Sequence, residues 1–262
     1  MSSAKGTESS GSGDIKRSLE LLWGTGERAT RGPKRGLTLD RIVTAAVELA
    51  DAEGLAAVSM RRLSTELGTG TMSLYRYVPG KAELLDLMLD RVQGEPLAER
   101  TADDMAALGW REAVDAMARA HLELYRRHPW LLRINQARTV LGPSALGGLE
   151  ASLAPLRRTG LTDPEMISVI LLMQSFVNGV ARMEIEALEA VRETGLSDEQ
   201  FWASQEPYLA RAMESGAFPL MAALSDEAFG PDFDHFEFGL RRLVDGLEVL
   251  VAARAGDGNG NR

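Results

Sequence analysis

Glycine cuts the stretch between Leu37 and Val92 into short pieces. Gly54, Gly68 and the pair Pro79-Gly80 each close a segment whose apolar residues recur at helical spacing. Helices this short are marginal in water alone, so they must hold one another through tight turns. Thr38 can cap the first and longest, Asp40 suits its positive N-terminal end, and Leu39, Ile42, Val43, Ala46, Leu49 and Ala50 share a face. The second starts from Ser59 as N-cap and runs "MRRLSTEL", with Leu63 and Leu67 inward. A third begins near Thr71 and stops at Pro79; a fourth opens at Lys81 with "AELLDLMLDRV".

Two short helices joined by a glycine turn and packed on a longer one form a helix-turn-helix, whose second helix enters the major groove of DNA. The third segment, "TMSLYRYV", has the chemistry for that place. Thr71 and Ser73 offer hydroxyls to phosphate or base, and Met72 an apolar tip to a thymine methyl. Tyr75 and Tyr77 can donate to phosphates, and Arg76 can pair with phosphate or bidentately with guanine. Lys81 can meet a phosphate at the positive end of the next helix. Leu74 and Val78 are left to anchor the helix inward. One of the two tyrosines could be a core aromatic; Arg76 between them argues against both.

The charge is divided accordingly. The whole chain carries −9, but Arg28 to Lys81 holds nine Lys/Arg and five Asp/Glu, a net of +4, while Gly94 to Arg262 holds 16 arginines and 26 acids, a net of −10. A basic head on an acidic body fits local contact with nucleic acid and opposes indiscriminate coating of it. Residues 1–36, rich in Gly, Ser, Thr and charge, read as a mostly disordered arm in which "IKRSLELLWG", from Ile15 to Gly24, can form a helical turn or two. Its basic end, including Arg35, could reach DNA or simply be solvated.

Beyond Gly94 the periodicity is helical throughout, with spans near 110–127, 130–137, 144–158, 164–192, 197–215 and 233–253. The expected organisation is therefore all-α: arm 1–36, helix-turn-helix domain 37–92, larger helical domain 93–255 and disordered tail 256–262. There is no cysteine, and the three histidines have no zinc-ligand spacing, so no metal or cofactor is expected. No apolar leader opens the chain, and the run from Met166 to Val180 is short for a membrane span and interrupted by polar residues. A cytoplasmic protein without membrane contact is the expectation. A helical enzyme fits poorly, because the histidines lack a nucleophile partner in any recognisable local motif.

The segment "SMRRLSTELGTGTMSLYRYVPGKAELL" resembles the DNA-binding signature of the TetR family of one-component bacterial repressors: a glycine turn, a hydroxyl two before tyrosine, an aromatic two after it, then Lys and Leu-Leu. Carried over position by position, the resemblance implicates Arg61, Thr71, Met72, Ser73, Tyr75, Arg76, Tyr77 and Lys81 in operator contact. Two positions depart from the pattern: Tyr77 stands where histidine or phenylalanine is frequent, and Gly70 replaces a larger side chain.

The resemblance also implies a helical domain that dimerises through its last long helices and holds a small-molecule pocket. Phe236, Leu240, Leu243 and Leu247 form a seam at alternating spacings of four and three, and Gly239 and Gly246 would admit a second helix. Either a four-helix dimer interface or an internal core accounts for that seam. Trp110, Met117, His121, Trp130, Asn135, Gln136, Gln174, Asn178, Met183 and Trp202 supply large apolar groups with scattered amides, as a ligand pocket requires. The later chain, "FEFGLRRLVDGLEVLV" especially, is similar to the tetracycline-repressor branch, but Gln93, Asn135 and Ser175 stand where its metal-binding histidines would be. The expectation is a homodimeric repressor on a palindromic operator in double-stranded DNA, released by a small-molecule effector other than a magnesium–tetracycline complex. An activator or a ligand-insensitive regulator is the alternative.

Overall fold

Local signals build the head as expected. The structure is a computed structural model that describes residues 8–25, 37–96, 101–230 and 233–259. Thr38 and Ser59 cap α2 (Leu39–Glu53) and α3 (Met60–Glu66) by accepting from Arg41 and Arg62 backbone N–H groups, each at 3.1 Å. Gly54 and Gly68 end them at φ +83° and +61°, a region costly for a residue with a Cβ. Short α4 (Thr71–Tyr75) is fastened by Leu74 and Val78, both at 0% exposure against Ile42, Leu63 and Leu84. It is shorter than the periodicity implied. Past Arg76 the backbone tightens into a turn in which the Tyr77 and Val78 N–H groups both donate to the Leu74 carbonyl. α5 (Lys81–Gln93) then leads out of the head.

One expectation fails at the N-terminus. Residues 8–25 are a docked strap: β1 (Glu8–Ser9) pairs in parallel with β2 (Ile134–Asn135), and α1 (Ile15–Leu22) lies on α5. The Gly and Ser content that reads as flexibility serves close approach instead. Ser10 and Ser18 donate from their hydroxyls to the two carboxylate oxygens of buried Asp86, each at 2.8 Å, and Gly11 N–H adds a third bond. A Cβ on Gly13 would run into Glu83, whose carboxylate accepts from the Asp14 N–H. Arg35 and the rest of 26–36 lie outside the described residues.

The body comprises α6 (Ala102–Ala107), α7 (Trp110–Arg127), α8 (Pro143–Leu153), α9 (Asp163–Thr194), α10 (Asp198–Glu214), α11 (Pro219–Ala222) and α12 (His235–Asn259). The last runs into the stretch expected to be a disordered tail. Its core lies between α7, α9 and α12, where Val114, Ala118 and Leu122 meet Met173, Val177 and Ala181. α9 has the length and hydropathy of a membrane-crossing helix, yet one side of it forms this core.

The seam of α12 is also redirected. Phe236, Leu240 and Leu247 are buried within the subunit, and Leu243 is half-buried on the same core. Gly239 faces Phe176 of α9, which would lie 2.6 Å from an added Cβ. Helical spacing identifies an apolar face, not which helix covers it. The head core is not closed either: Leu124, Trp130, Leu131 and Ile134 pack into it across the boundary expected at residue 92.

Candidate nucleic-acid interface and effector cavity

With Leu74 and Val78 turned inward, the opposite side of α4 is bare. Met72 is 78% and Tyr75 44% exposed, and Arg61 and Arg76 are exposed beside them. Among the described residues neither arginine is ion-paired, whereas neighbouring Arg62 is held by Glu53 and Glu66, each at 2.8 Å. Two free guanidiniums, an apolar tip and a phenol on one surface match what phosphates and base edges require.

Four of the expected contacts sit differently. The Thr71 hydroxyl lies 3.2 Å from that of Ser64 and ties α4 to α3. Tyr77 is half-buried on the head core, so it is the core aromatic of the pair; Ser73 is half-buried too. Lys81 is engaged within the chain: its ammonium lies 2.6 Å from Glu8 and 3.4 Å from the Leu55 carbonyl.

α5 connects this surface to the body through carboxylates on its buried side. Asp86 and Glu83 hold the strap, while Asp90 accepts from the Ser144 and Ala145 N–H groups at the start of α8. A Cβ on Gly142 would collide with Asp90, so glycine is needed there. A second clasp joins α2 to the end of α7. Asp51 accepts from the Trp130 indole at 2.6 Å and faces His128 Nδ1 at 2.7 Å, while Glu95 meets Nε2 at 3.1 Å.

Between α7, α8, α9 and the segment 134–141 lies a cavity of about 1080 Å³. Of the expected ligand residues, Met117, His121, Gln174 and Asn178 line it, with Gln136. Trp130 is 3% exposed in the clasp, Trp110 packs beside the body core, Asn135 turns back to its own loop and Trp202 is 59% exposed on α10; none lines the cavity. Tyr125 is a wall residue that the sequence did not single out, and the Asn178 amide donates to its hydroxyl at 3.4 Å. The signal was present: Met117, His121 and Tyr125 recur at intervals of four on α7. Burial pushes the His121 pKa below its ordinary value against a smaller opposing effect of its 2.8 Å contact with the Met117 carbonyl, so the ring is neutral near pH 7. Gln93 and Ser175, two of the residues in place of metal-binding histidines, bring an amide and a hydroxyl to the same wall.

Residues 42–88 match the model for bacterial regulatory proteins of the tetR family, and residues 103–251 match the tetracyclin repressor-like C-terminal domain. The chain is 61% identical over 254 residues to the HTH-type transcriptional repressor DrrR1 of Streptomyces coeruleorubidus, covering 97% of this chain and 93% of that one. It is 32% identical to an HTH-type transcriptional regulator of Saccharopolyspora erythraea over 88% of this chain and 92% of the relative. Among solved structures it is similar to ActR of Streptomyces coelicolor in complex with actinorhodin, with a TM-score of 0.65 at 33% identity over 81% of this chain and 96% of that one.

Proposed function

Because the chain belongs to the TetR family of bacterial transcriptional regulators, we propose that it is a homodimeric repressor that leaves its operator when a small organic molecule enters the cavity. The observation that carries this reading is the bare surface of Arg61, Met72, Tyr75 and Arg76, joined by α5 to a cavity of about 1080 Å³. Arg61 and Arg76 grip phosphates or a guanine, Tyr75 donates to a phosphate, and Met72 and Ser73 meet bases. The sign of regulation follows DrrR1, a repressor by its name. The effector class follows ActR, whose structures hold actinorhodin or (S)-DNPA.

Dimerisation is supported by apolar surface that no described residue of the subunit covers. On α9, Leu172 and Met183 are exposed around Gly179; on α12, Phe238 and Val249 are exposed around Gly246, which has open space above it. α10 buries no residue in its own chain and displays Phe201, Trp202 and Tyr208. A surface of this extent marks an association site, and two-fold symmetry would give two heads for two half-sites.

Release requires that the effector bind one arrangement of the heads better than the other, since it can shift the equilibrium only by that difference. α5 conveys the shift: it carries Asp90 against α8 at the cavity and leads back to α4. The protein acts in the cytoplasm, where its DNA is. A footprint over the regions flanking its own coding sequence tests the reading. Protection of a symmetric site, relieved by a small organic molecule such as actinorhodin, is the expected result; no protected site would refute it.

A further inference from the structure

Glu8 is placed to control Lys81, and Lys81 opens the helix that follows the recognition helix. Its ammonium sits 2.6 Å from the Glu8 carboxylate, at the distance a phosphate oxygen would take. We propose that residues 8–23 are a built-in competitor of DNA: the strap withholds Lys81 through Glu8 and ties that restraint to the cavity wall. The inference rests on the DNA-binding reading above.

Exposed ion pairs are usually weak because two long side chains must be frozen to make them. Here half of that ordering is already made. Glu8 stands on β1, paired with Ile134, and the next turn is fixed by Ser10 and Gly11 on Asp86. Glu8 is thereby delivered to Lys81 as a fixed anion.

The same strap touches the cavity wall. The Ser10 hydroxyl accepts from the Val140 N–H at 3.2 Å, and the Trp23 indole donates to the Leu141 carbonyl at 3.2 Å. Thr139 and Leu141 line the cavity. A ligand that braces this loop from the cavity therefore steadies the strap, which keeps Glu8 on Lys81 and adds to release. Its hold is mainly polar: Ser10 and Ser18 are its buried residues, while Leu21 and Leu22 are only half-buried. Such a segment can detach without unfolding the body.

The test uses the full chain as native protein, Glu8→Gln, Lys81→Met and the double variant, on DNA that the native protein selects from random oligonucleotides. Glu8→Gln should tighten binding by about two- to fivefold, the strength of a surface pair. It should also steepen the slope of log affinity against log salt by about 0.9, the mark of one more neutralised phosphate. Lys81→Met should abolish both gains. Ser10→Ala combined with Ser18→Ala, which loosens the strap and leaves Glu8 in place, should reproduce them. An equal gain in the Lys81→Met background, no gain from Glu8→Gln, or no gain on loosening the strap would each overturn the proposal. If the native protein selects no DNA, the functional reading falls and this inference with it.

Discussion

Asp51 is one of the residues through which the head meets the body, and its removal has a calculable consequence. In Asp51→Ala the Trp130 indole N–H loses its 2.6 Å acceptor and His128 loses its 2.7 Å partner, while both donors' residues stay 3% exposed. An orphaned buried polar group costs about 1–3 kcal/mol. Because the Asp51 side chain is 30% exposed, water can enter the gap and offset part of that. A net loss of about 2–3 kcal/mol follows, and at roughly 2–4 °C per kcal/mol for a chain of this size the melting temperature should fall by about 5–10 °C. Asp51→Asn keeps a carbonyl oxygen for the indole and should retain at least half of the lost stability. Thermal unfolding followed by circular dichroism, with the Trp130 environment read by fluorescence, checks both variants. A drop below about 2 °C for Asp51→Ala, or equal drops for Ala and Asn, would refute the assignment of the clasp to these hydrogen bonds.

Other consequences are as specific. Leu74→Ala removes a side chain with 0% exposure that fastens a five-residue helix, so it should cost about 2–5 kcal/mol in denaturant titration and lower DNA affinity; Met72→Ala, 78% exposed, should change stability by under about 0.5 kcal/mol yet still weaken DNA binding. His121 has its folded pKa pushed down by burial, so below the unfolded value of about 6.5 the unfolded chain binds more protons and stability falls as pH drops. His121→Asn should flatten that part of the stability–pH curve. Glu165, lowered to about 2 first by its bond to Arg254 and then by Thr162, adds stability present above pH 4.5 that is lost as pH falls towards 2; Glu165→Gln should remove that acid limb. Val249→Asp, at a 72% exposed apolar position beside Gly246, should shift the sedimentation profile from dimer towards monomer without loss of helicity.

The head was legible because its determinants are local. Thr38 and Ser59 cap from three residues away, Gly54 and Gly68 need the left-handed backbone, and Leu74 and Val78 are spaced for one face. The helical turns of the strap were legible but its docking was not, since Ser10 and Ser18 find Asp86 at 76 and 68 positions along the chain and only the fold makes that meeting. A Gly/Ser-rich composition is equally consistent with solvation and with close packing. The engagement of Lys81 was hidden for the same reason: its partner Glu8 belongs to the strap. On α12 the apolar spacing was read correctly, but its occupant is α9 of the same chain. The cavity was half legible. Met117 and His121 follow a helical stripe, whereas size alone points to the tryptophans, and Trp130 is committed to Asp51.

The most direct measurement of the central claim is selection of DNA from a random pool by the full-length protein, followed by sequencing of what it retains. An inverted repeat should emerge, with half-sites about one helical turn apart, and Arg76→Ala should lose it. Enrichment of a single asymmetric site, or retention of DNA without sequence preference, would contradict a dimer reading an operator through α4.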